Sequence, residues 1–139
     1  MQKSAVRPMP VTFPDSAAPD VPIDAELRFD AALPHAACLA FPFALNGCPG
    51  GGELCWYFSR DLLNEGRHAP AGCGDVKVRP GPAGEVLITL RSPDGQSVLS
   101  APEDVVTAFL VDSFTLVPAG SEADHLDVDA ALARLCADD

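Results

Sequence analysis

The sequence predicts an α+β fold built mainly from antiparallel sheets with short helices, and three observations carry this. Apolar and polar residues alternate over several short stretches between Ile23 and Leu99, the period of half-buried strands. Turn signals such as SPDG at 92–95 stand between consecutive stretches, close enough for hairpins. Helical spacing is confined to short runs, so strand and helix do not alternate as repeated parallel units would require.

Residues 1–20 carry Pro8, Pro10, Pro14 and Pro19 with few apolar residues. They are expected to form a flexible proline-rich arm, with at best a short edge strand around 11–13, ahead of a single domain over 21–139. Ile23, Ala25, Leu27 and Phe29 then alternate with Asp24, Glu26, Arg28 and Asp30, the cleanest strand pattern in the chain. After a turn at 31–35, Leu39, Phe41, Phe43 and Leu45 continue the alternation, and Pro42 marks an edge or bulged strand because it removes a ladder donor.

The stretch from Leu54 to Arg79 organises the rest and holds the only Trp and the only Tyr. Leu54, Trp56 and Phe58 share one strand face, which makes Trp56 a core anchor. Ser59 is placed to cap a short helix with Leu62 and Leu63 on its apolar side and Gly66 as a left-handed stop. Val76 and Val78 open the next strand, Val86, Ile88 and Leu90 the one after, and residues 96–99 a third, giving an antiparallel meander. Ser100 and Glu103 read as a capping box for a helix through Val105, Val106, Phe109 and Leu110 to about Ser113. Asp127 caps a last amphipathic helix through Val128, Leu132, Leu135 and Cys136.

A chain of 139 residues buries roughly 70% of its unfolded surface and needs no metal or disulfide to be stable. The net charge of −11, from 20 acidic and 9 basic residues, disfavours nucleic acid and anionic membranes as partners. No apolar run is long enough to span a bilayer and the first residues lack the apolar core of a signal peptide, so a cytoplasmic location is expected. Five scattered cysteines fit reduced thiols.

The best metal candidates are Cys48, Cys55, His68 and Cys73, but they lack the close-paired spacing of structural zinc sites, and no metal or cofactor is expected. A cysteine could pair with His35, His68 or His125, yet no spacing places such a pair in hydrogen-bond reach, and no enzyme activity is expected. The loop GCPGGG at 47–52 lacks the Lys-Ser/Thr end of a phosphate cradle.

At WYFSRDLLNEG and GCGDVKVRP the chain resembles the SsgA-like family of sporulation and cell-division proteins. The resemblance covers about 110 residues in six ordered blocks. Leu27–Asp30 matches the family's L-R-Y-D. Trp56, Phe58, Arg60–Leu63, Glu65 and Gly66 match W-x-F-A-R-D-L-L-x-E-G, and Gly74–Val78 with Pro80 match G-D-V-R-V-x-P. Ser92, Pro93 and Gly95 match S-P-x-G; Val117, Pro118, Gly120 and Glu122 match V-P-P-G-x-E; and Leu126, Asp127 and Asp129 match F-D-x-D. Three departures stand out: the proline-rich start replaces an apolar strand, Ser59 stands where the family has a small apolar residue, and Asp112 stands where it has Arg.

The resemblance implies a Whirly-type fold, a homotrimer, and a non-enzymatic adaptor at the division septum acting in septum placement, recruitment of FtsZ or peptidoglycan remodelling. The Whirly fold also suggests an alternative, single-stranded nucleic-acid binding, which the charge opposes. The expected docking face is the helix at 59–66, with Arg60, Asp61 and Glu65 turned outward to meet FtsZ or another SsgA-like protein while Leu62 and Leu63 pin the helix.

Overall fold

Two antiparallel meanders make up the fold in the computed structural model, which describes residues 4–41, 54–72, 74–93 and 95–121. The first sheet has four strands in chain order: β1 (Ser4–Val11), β2 (Ile23–Asp30), β3 (Ala36–Phe41) and β4 (Leu54–Ser59). A short helix, α1 (Arg60–Gly66), leads to a three-stranded sheet of β5 (Val76–Pro80), β6 (Val86–Ser92) and β7 (Gly95–Ala101), followed by α2 (Glu103–Leu116). Backbone hydrogen bonds in both directions between Thr12 and Ser100 join the two sheets.

The proline-rich start is not a free arm, because Ser4–Val11 pairs along its whole length with Ile23–Asp30. Pro8 and Pro10 have the same parity, so both missing N–H groups fall on one side of β1. The edge position leaves that side without a partner strand. Met9 and Val11, on the alternate positions, enter the core. Proline density therefore marked an edge rather than a tail.

The strict alternation of Ile23–Asp30 becomes β2, with Ala25, Leu27 and Phe29 buried. β3 is neither edge nor bulged: it lies between β2 and β4 and is buried on both faces. Pro42, which suggested an edge, lies outside the described residues. Phe58 is buried on β4 and Trp56 packs half-buried against the core. The meander β5–β6–β7 forms as its period predicts, with Val78, Ile88 and Leu99 on one core rung.

In α2 the buried residues Val106, Phe109, Leu110 and Ser113 form one stripe. Its start departs from the capping box. Pro102 occupies the cap position with no side-chain hydrogen bond, and Ser100 belongs to β7. The backbone of Ser100 is held in the bridge to Thr12, so strand pairing takes the residue that a cap would need. Leu39, Val78 and Phe109 belong to one apolar cluster that unites both sheets and α2. Phe43, Leu45 and the helix expected from Asp127 lie outside the described residues.

Candidate protein-docking site

The start of α1 is fixed by its own sequence. The Ser59 hydroxyl accepts a hydrogen bond from the Leu62 N–H at 3.3 Å, the capping role its position predicted. The Arg60 N–H donates to the His35 carbonyl at 2.7 Å, tying the first turn to the loop before β3. Leu63 is fully buried.

Gly66 does not act as a left-handed stop. It is the last helical residue, and a Cβ on it would fall on Val78 Cγ1 and lie 2.9 Å from the Val78 carbonyl oxygen. Glycine is needed there because α1 lies directly on β5.

Arg60 is the main correction to the expected docking face. It does not turn outward: it is 1% exposed. Its Nη1 donates to the carbonyls of Ser113 (3.0 Å) and Val117 (2.8 Å), and its guanidinium stacks over the rings of Phe114 (4.1 Å) and Phe29 (5.1 Å). The cation meets the carbonyls at the C-terminal end of α2, where the helix dipole is negative, and the aromatic faces replace part of its lost hydration. Helical spacing held the signal for this. Arg60 stands three residues before Leu63, as Gly66 stands three after, and all three share the buried stripe.

At the other end of α1, Arg67 donates to Asn64 Oδ1 at 2.6 Å and to Thr107 Oγ1 at 3.1 Å. Thr107 in turn donates to Glu103 at 2.7 Å. The start of α1 is thus held to the end of α2, and the end of α1 to its beginning. The two helices run antiparallel, clamped at both ends over a span of roughly 10 Å.

Asp61 and Glu65 are exposed, four residues apart on one ridge of this clamped helix. Asp61 lies in the first turn, where a carboxylate favours the helix dipole. The structure thus keeps these two acids on the expected face and removes Arg60 from it.

Of the metal candidates, Cys55 lies on β4 and His68 is exposed just after α1, while Cys48 and Cys73 lie outside the described residues, as do His125 and the loop at 47–52. Among the described residues no group of three or more His, Cys, Asp or Glu side chains could hold a metal ion. Burial pushes the Cys38 thiol up to about 12, with Cys55 beside it adding to the shift, so Cys38 stays protonated at neutral pH. Among the described residues no helix is long and apolar enough to cross a membrane.

Residues 23–122 match the family model described as Streptomyces sporulation and cell division protein, SsgA. The sporulation-specific cell division protein SsgB of Salinispora tropica is 41% identical, over 96% of this chain and 98% of that protein. SsgB of Streptomyces coelicolor is 39% identical, with 85% of each chain covered. A solved structure from work relating mutations in SsgB to longitudinal cell division during sporulation of Streptomyces coelicolor superposes with a TM-score of 0.78 at 33% identity, covering 91% of this chain and 98% of that one. The crystal structure of an SsgA-like sporulation-specific cell division protein from Thermobifida fusca gives 0.71 at 33% identity, covering 94% and 93%.

Proposed function

Since the chain belongs to the SsgA family of sporulation and cell division proteins, we propose that it is a non-enzymatic adaptor in sporulation-specific division that docks a division component through the exposed ridge of α1. The observation that supports this reading is the double clamp. Arg60 and Arg67 fix α1 to opposite ends of α2, so Asp61 and Glu65 are presented without the conformational freedom that weakens a charged surface contact. Fixed acids on a rim set register and on-rate for a partner of opposite charge.

The component proposed is FtsZ or another SsgA-like protein, met in the cytoplasm and at the septum. The working unit proposed is a homotrimer, in which three weak copies of the ridge engage a polymer by avidity. Val6 and Tyr57 stand exposed on one outward rung of the four-stranded sheet, and Val111 is 59% exposed on α2. The exposed side chains of that rung are suited to contacts between copies.

Co-sedimentation with purified FtsZ polymers, together with light scattering, tests the reading. The chain is expected to scatter as a trimer and to pellet with polymer, and Asp61→Lys with Glu65→Lys to lower the pelleted fraction about tenfold while the trimer persists. A monomer mass removes the avidity step. Pelleting unchanged by the double reversal rules out this ridge.

A further inference from the structure

The three-stranded sheet presents a second charged surface, opposite in sign to the chain as a whole. Positions 77 and 79 of β5 pair with Thr89 and Leu87 of β6, which pair with Val98 and Ser100 of β7. These six residues alternate with the core positions Val78, Ile88 and Leu99 and so share the other face; on it Lys77 and Arg79 are exposed, Thr89, Val98 and Ser100 half-buried and Leu87 buried. The face therefore carries Lys77 and Arg79, both exposed, and no carboxylate.

Neither Lys77 nor Arg79 forms an ion pair among the described residues. The nearest acids bracket the pair without neutralising it. Glu85 folds back to accept from the Ala83 N–H at 2.9 Å, and Asp75 stands in the next row, beside Arg91. Against a net charge of −11, two uncompensated cations side by side on a flat face are a distinct feature.

The surroundings of this pair have shape as well as charge. A cavity of about 210 Å³ lies beside them, lined by Lys77 and Arg79, by Thr89 and by the loop Pro70–Gly72. That loop touches β5 through one bridge, between Ala71 and Val78. Lys77 and Arg79 are two residues apart on a strand, so their bases are roughly 7 Å apart. The same repeat separates alternate side chains of any extended peptide.

We propose that this face docks an extended acidic segment of a partner protein, with carboxylates at alternate positions entering the cavity by Pro70–Gly72 to meet Lys77 and Arg79. Charge complementarity and the two-residue repeat select this occupant. Single-stranded nucleic acid fits less well, because the six residues of that face include no aromatic ring on which a base could stack. A long polyanion also meets the repulsion of the whole chain, which a short peptide with few carboxylates meets far less. This surface is separate from the ridge of α1 and stands whether or not that ridge binds a division component.

Fluorescence anisotropy with a short synthetic peptide alternating Glu and Val tests the assignment, against a peptide of the same composition with its Glu residues in one block and against an oligo-dT strand. The alternating peptide is expected to bind in a salt-sensitive manner and the other two at least about fivefold more weakly. Lys77→Gln with Arg79→Gln is expected to lower its affinity about tenfold, while Lys77→Arg with Arg79→Lys keeps it within about twofold. Both residues are exposed, so the melting temperature and the mass in solution should be unchanged. Equal binding of the blocked peptide or of oligo-dT overturns the proposal, as does affinity indifferent to the Gln pair. A change of mass in the Gln pair also overturns it, because the face would then be a contact between copies.

Discussion

Of the three arginines that fasten α2 to the rest of the molecule, Arg60 and Arg7 do so in opposite media. Arg60 reaches it from α1 through the core, with two backbone carbonyls as acceptors and two aromatic rings as walls. Arg7 reaches it from β1 through solvent, with its Nε 2.6 Å from Asp112 Oδ2 and Nη2 3.2 Å from Oδ1. On bond count the two contacts look alike, but burial separates them. Removing Arg60 strips the Val117 carbonyl of its donor and leaves a void between rings, while Ser113 keeps the bond from the Val117 N–H; water and ions refill the place of Arg7 at once. The first contact therefore sets the position of α1, and the second trims the edge of the sheet.

The largest effect expected from breaking this comparison is at Arg60. Arg60→Ala should cost roughly 2–5 kcal/mol, by combining a cavity with the loss of the donor to the Val117 carbonyl. That corresponds to a fall in melting temperature on the order of 10 °C for a chain of this size. Arg60→Lys should recover only part of the loss, since an ammonium lacks the planar fork and the stacking surface. Thermal unfolding measured by circular dichroism decides the matter, and a fall within about 2 °C for Arg60→Ala would show that the clamp carries little of the fold.

How much of this was legible in the sequence follows the same division between periodic and tertiary signals. β2 could be read residue by residue because one face is buried and the other wet, which is the condition under which a period of two appears. β3 was harder: its alternation marked a strand, but Pro42 suggested an edge, whereas Ala36–Phe41 lies between β2 and β4 and is buried on both faces. β1 was obscured because prolines that an edge strand tolerates look, without a partner in view, like those of a loose arm. At the candidate site the cap at Ser59 and the exposed acids Asp61 and Glu65 were readable from local chemistry. The burial of Arg60 was not, because its acceptors lie more than 50 residues away at the end of α2. A charged residue on the buried stripe of a helix was the available clue, and the usual rule that charges face water outweighed it.

The next effect in size sharpens the comparison from the other side of α1. Gly66→Ala adds a methyl that must displace Val78 or its backbone, so a loss of about 1–3 kcal/mol is expected from overpacking. Pairing it with Val78→Ala should return little of that loss. The added methyl still meets the Val78 carbonyl oxygen, at 2.9 Å, and the shortened side chain removes core packing of its own. Recovery of full stability in the double variant would show that α1 is free to lift from β5 and that the clamp at Arg60 alone positions it.

The smallest effect is at the exposed arginine, and its signature is pH dependence rather than size. The hydrogen bond from Arg7 holds the Asp112 carboxyl below the ordinary carboxylate value, against a smaller opposing push from burial, and the same bond raises Arg7. A group whose folded value is depressed contributes stability that is fully present above its unfolded value, near 3.9, and is lost as pH falls through the folded one. Wild type should therefore exceed Asp112→Asn slightly in melting temperature at pH 6–7, and the gap should close on acidification below about pH 4. Because Arg7 is open to solvent, the gap at neutral pH should also shrink as salt is raised toward 1 M. The family pattern places Arg where this chain has Asp112, so Asp112→Arg puts two cations at the β1–α2 contact and should lower stability more than Asp112→Asn. Arg7→Asp in that background should return the difference by restoring an opposite pair in reversed order. Melting curves for the four chains at pH 7 and pH 3 read all of this, and a gap that persisted unchanged at pH 3 would mean that Asp112 supports α2 through packing rather than through its charge.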